Sequence, residues 1–72
     1  MNKYFGLDEA REGTLYEIVS VSDEALSHEF GAYQGMSVVI LKKALESIVQ
    51  FGYSQVTMEK ELLKKIIVQA VH

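Results

Sequence analysis

Two histidines, ten carboxylates and no cysteine bound the chemistry open to this 72-residue chain. The missing thiol excludes a thiolate zinc site, an iron–sulfur cluster, a disulfide framework and a cysteine nucleophile. Ser27 and His28 are adjacent. On a helix that spacing puts them on different faces, so an imidazole-activated hydroxyl is not expected and the chain reads as non-catalytic. Glu24 and His28 stand four apart between Asp23 and Glu29. One helical face would bring this carboxylate and imidazole together as ligands of a divalent transition metal. The plainer reading makes the same residues solvated surface groups at a helix start. The other histidine is His72. Neither a phosphate-binding loop nor a dinucleotide fingerprint is present, because Gly31 and Gly35 precede a strand-like segment instead of a helix.

Aromatics offer a different chemistry. Phe30, four residues after Leu26 on one helical face, and Phe51, at the end of a strand-like run, are expected in the core. Tyr33 lies between two glycines, in Gly31-Ala32-Tyr33-Gln34-Gly35. A tyrosine on a constrained turn contributes a large amphipathic contact at small entropic cost. With Gln34 and Met36 beside it, this turn is the candidate partner-binding surface.

These residues need elements to position them. At 49% apolar and 24% charged, the composition is that of a folded domain, and the length allows one core, taken as a single domain over residues 1–72. So small a core makes a partner surface or a homo-oligomer a reasonable expectation. The net charge of −3 argues against nucleic acid as a partner. It is unevenly spread, with two basic against seven acidic residues over 1–41 and five against three over 42–72. No apolar run approaches the roughly 20 residues needed to span a bilayer, and no basic-then-apolar leader opens the chain, so a cytoplasmic location is expected.

With no proline, glycine alone punctuates the chain. Leu7 to Glu12 predicts one or two helical turns ending at Gly13. Thr14 to Val21 is rich in β-branched and aromatic residues and predicts a largely buried strand. Ser22 then caps a helix over 23–30, which Gly31 closes in a left-handed conformation. Residues 36–43 and 47–51 predict a hairpin joined by Ala44, Leu45 and Glu46. Gly52 and Tyr53 turn the chain into a strand over 54–58, 59–65 is a charged helical turn, and Ile66 to Val71 closes the fold. About five strands with two or three short helices suit a small β-barrel better than a sandwich or a bundle.

In this order, LDEAREG, the Ile18-Val19 strand, Phe30-Gly31-Ala32-Tyr33-Gln34-Gly35-Met36, VVILKK, GYSQVTMEK and KKIIV, the segments resemble the ferrous iron transport protein A (FeoA) family over about residues 6–70. The resemblance implies a mainly β, Src-homology-3-like small barrel. It also implies a cytosolic, non-catalytic accessory role in bacterial ferrous iron uptake, with the GTPase-containing membrane transporter as partner. Where the family carries paired arginines before the turn, this chain has Ala25 to Glu29; where it carries prolines, this chain has Gln34 and Ala44-Leu45-Glu46. A stand-alone metal-sensing or metallochaperone barrel is the alternative reading, resting on Glu24 and His28.

Overall fold

The computed structural model describes residues 3–71, and His72 lies outside them. Among the described residues, six strands form one antiparallel sheet: β1 (Phe5–Gly6), β2 (Leu15–Val21), β3 (Ser37–Lys42), β4 (Glu46–Phe51), β5 (Ser54–Glu59) and β6 (Ile66–Ala70). Their order is β1-β6-β2-β3-β4-β5. The strand beyond the expected five is β1. Two residues carry no periodicity, and β1 exists through pairing, Phe5 with Val68 and Gly6 with Ile67. Its ring also meets Tyr16 edge-on at 5.5 Å.

Two bulges bend the sheet around its core. The β2–β6 register shifts between Ile18 and Ser20, leaving Val19 unopposed, and the β3–β4 register shifts between Ile40 and Lys42, leaving Leu41 unopposed. An extra residue on one strand raises the local twist. Inside the curl lie Tyr16 and Ile18 of β2, Val38 and Ile40 of β3, Val49 and Phe51 of β4, Met58 of β5, and Ile66 and Val68 of β6, with Leu7, Leu26 and Leu63 from the short helices. Hydrogen-bonded pairing runs from β1 to β5, and helix α2 (Lys60–Leu63) bridges between these end strands, packing on β5 and on the 3-10 turn Leu7–Glu9. No helix among the described residues is long and apolar enough to cross a membrane.

Three local expectations are corrected. The first helix is a single 3-10 turn, after which Ala10 is extended and buried. Residues 11–13 find partners elsewhere: Arg11 N–H donates to the Tyr16 hydroxyl at 3.1 Å, and Gly13 N–H to the Ile40 carbonyl at 2.8 Å. The second strand is buried on one face only, since Leu15 is 45% exposed. The connection between β3 and β4 is shifted by one residue, to Lys43, Ala44 and Leu45, because β3 ends at Lys42 and Glu46 already belongs to β4. Ser47 turns inward, donating to the Ala44 carbonyl at 3.0 Å and accepting from its N–H at 3.3 Å. Each bond replaces water lost on burial.

Candidate functional site

The candidate turn hangs between helix α1 (Glu24–Phe30) and β3. Asp23, not Ser22, caps the helix: its carboxylate accepts from Ala25 N–H at 3.0 Å. Ser22 is occupied across the fold, donating its hydroxyl to the Lys65 carbonyl at 3.1 Å. Asp23 also takes the Lys65 ammonium at 3.3 Å. These contacts anchor the helix start to the entrance of β6. Of the two phenylalanines expected in the core, Phe51 is buried there, whereas Phe30 is half-buried against it at the helix end.

Gly31 closes α1 at φ 72, ψ 27, with its N–H on the Ser27 carbonyl at 2.9 Å. This is the left-handed cap that glycine adopts without a Cβ penalty. Ala32 is fully buried, and the chain turns at once through Tyr33, Gln34, Gly35 and Met36, with Met36 N–H on the Tyr33 carbonyl at 3.2 Å and Gly35 at φ 90. A positive φ at the third position marks a type II turn, with Gln34 at the second. The turn is held from below: Gly35 N–H donates to the Ile18 carbonyl at 2.8 Å, and Ile18 N–H to the Met36 carbonyl at 2.9 Å.

Tyr33 and Gln34 are therefore exposed on a backbone fixed at both ends, with Tyr33 49% exposed. Met36 turns partly inward and packs on the core. It borders a shallow open concavity of about 620 Å³, lined also by Ser37, Phe51, Gly52, Tyr53 and Ser54. Tyr53, fully exposed at the β4–β5 hairpin tip, adds a second aromatic at this end of the sheet. Sequence reading placed it in a turn but assigned it no role. The available signal is its position after Gly52 in a two-residue hairpin loop, where an aromatic side chain has no inward face.

Glu24 and His28 lie one turn apart on α1, both exposed. Their neighbour Asp23 is engaged as cap and ion-pair partner, and among the described residues no three histidine or acidic side chains are arranged to hold a metal. A more enclosed cavity of about 240 Å³ lies at the other end of β4, lined by Asp8, Lys43, Ala44, Leu45, Ser47, Lys60 and Leu63. The one hydroxyl in its lining, that of Ser47, is taken up by the Ala44 backbone.

No family model matches the sequence. No curated protein matches it either. The fold does match. It superposes on the crystal structure of the iron uptake regulatory protein FeoA with a TM-score of 0.81 at 17% identity, covering 93% of this chain and 96% of that one. The chain has the FeoA fold. It also matches a FeoA-like protein from Clostridium acetobutylicum, with TM-score 0.85, 19% identity and coverage of 100% and 92% of the two chains. Iron(II) transport protein A from Clostridium thermocellum follows at 0.82 and 18%, over 93% of this chain and 46% of that one, so the chain spans about half of that protein's length. The glycine-bounded turn and hairpin tip described above thus sit on a FeoA scaffold, the Src-homology-3-like architecture that the segment order implied.

Proposed function

We propose that this chain is a non-catalytic accessory module of bacterial ferrous iron uptake. It acts in the cytoplasm by docking on the cytosolic part of the GTPase-containing ferrous iron transporter. The supporting observation is the whole-chain likeness to three structures described as an iron uptake regulatory protein, a FeoA-like protein and an iron(II) transport protein. The docking element is the Tyr33–Met36 turn. Tyr33 presents a rigid aromatic ring on a backbone whose conformation is set by Gly31 and Gly35, so little ordering entropy is lost on contact. Gln34 supplies donors and an acceptor beside it, and Met36 supplies a deformable apolar floor.

The reading is tested by binding between this chain and the purified cytosolic GTPase portion of the transporter encoded in the same genome. Saturable binding is expected, weakened by about 2 kcal/mol, roughly thirty-fold, in Tyr33→Ala, as for a central aromatic anchor. The melting curve should stay close to wild type, because Tyr33 is half-exposed. No binding at any concentration, or full binding by Tyr33→Ala, rejects the turn as the docking element.

A further inference from the structure

The outward face of the sheet carries an apolar band that the core does not use. Strand alternation places Leu15 of β2, Val39 and Leu41 of β3 and Ile48 of β4 opposite the buried Tyr16, Val38, Ile40 and Val49. Register makes them neighbours, with Leu15 directly across from Val39. Val71 follows Ala70, the partner of Tyr16, and so lies beside Leu15. Leu15, Leu41 and Val71 are 45%, 43% and 46% exposed. A contiguous exposed apolar surface of this kind marks an interaction site.

The charges at its two ends say what fits it. Glu17, paired with Ser37, stands at one end of the band; Lys42, paired with Ile48, stands at the other. Among the described residues the ion pairs are Lys64–Glu61 and Lys65–Asp23, so neither Glu17 nor Lys42 has an ionic partner among them. Glu17 accepts the Gln69 amide at 3.1 Å. A two-fold axis running across the strands near the Leu15–Val39 pair lays one band on the other. It carries each Lys42 over Glu17 of the second copy. Such an isologous contact matches itself in both its apolar centre and its charged ends.

We propose that this sheet face is where two copies of the chain associate, band against band, with Lys42 of each paired to Glu17 of the other. The Tyr33–Met36 turn lies beyond the Glu17 end and outside the contact, so the inference stands independently of the proposed docking role. Only a few side chains per copy take part, which places the contact at the small, weak end of specific interfaces.

Sedimentation velocity from micromolar to millimolar chain, with circular dichroism to check folding, tests it. The wild type is expected to show a monomer–dimer equilibrium that Leu15→Asp abolishes. Lys42→Glu and Glu17→Lys should each weaken the dimer about five-fold or more, and the double variant should recover it. A zero-length carbodiimide cross-link between isotopically distinct chains should join Lys42 to Glu17. A monomer throughout, a dimer indifferent to Leu15→Asp, or a double variant no tighter than the singles overturns the proposal.

Discussion

The Met36 methyl group rests over the backbone of Gly52, 3.2 Å from where a Cβ on that glycine would stand. The contact joins the turn after α1 to the tip of the β4–β5 hairpin, although the two are far apart in sequence. It also gives the hairpin glycine two reasons to lack a side chain. Gly52 has φ 59, whereas no residue other than glycine has positive φ among those described. Of the two-residue hairpin turns that leaves type II′, with glycine first.

Gly52→Ala should therefore destabilise the fold by about 1–3 kcal/mol, the cost of a Cβ at the positive φ of that turn position. The methionine tip can move aside, so the backbone contribution dominates. In a domain of this size the melting temperature should fall by about 4–8 °C for each kcal/mol. An unchanged melting curve would mean that the hairpin takes another turn type.

Gln34→Pro should act in the opposite sense. Gln34 occupies the second position of the type II turn, the place that a ring-locked φ near −65° suits best. Among the described residues no backbone hydrogen bond uses its N–H. Stabilisation of about 0.4–1 kcal/mol is expected, through loss of unfolded-chain freedom, and denaturant unfolding measures it. Loss of stability would show that the backbone at Gln34 departs from this turn.

Glu46 and Glu59 are direct cross-strand partners, both exposed, and Glu29 of α1 lines the same shallow concavity. Like charges so placed repel. Glu46→Lys should stabilise by about 0.2–1 kcal/mol at low salt, and the gain should shrink as ionic strength rises. A gain independent of salt would point to propensity instead of charge.

For Glu24 and His28, titration calorimetry with ferrous, manganous and zinc ions should give no heat above buffer. Two exposed side chains on a seven-residue helix cannot enclose an ion against its hydration. Saturable binding that disappears in His28→Ala would reverse that expectation and support the metal-sensing reading.

Much of this architecture was legible before any coordinates. Gly31 and Gly35 were readable as a helix cap and a turn glycine because both constraints act within a few residues, and only glycine meets them cheaply. The β-branched runs at 14–21, 36–43 and 66–71 announced strands in the same local way, and the strands found are Leu15–Val21, Ser37–Lys42 and Ile66–Ala70. The order of these pieces was enough to suggest the FeoA fold, which the structural matches bear out.

Other features belong to contacts across the chain. Strand β1 exists because Phe5 finds Val68, and Asp23 becomes the cap because Ser22 is drawn to the Lys65 carbonyl. Leu15 reads like any apolar strand residue. Only the choice of face, with Tyr16 and Ile18 taken into the core and Val39 paired across from Leu15, turns it outward into an exposed band. Propensities and caps are local energies that neighbouring residues carry with them, so the linear chain determines them by itself. Pairing partners, bulges and exposed faces are settled by which distant surfaces meet, and that is decided only when the sheet packs over its core.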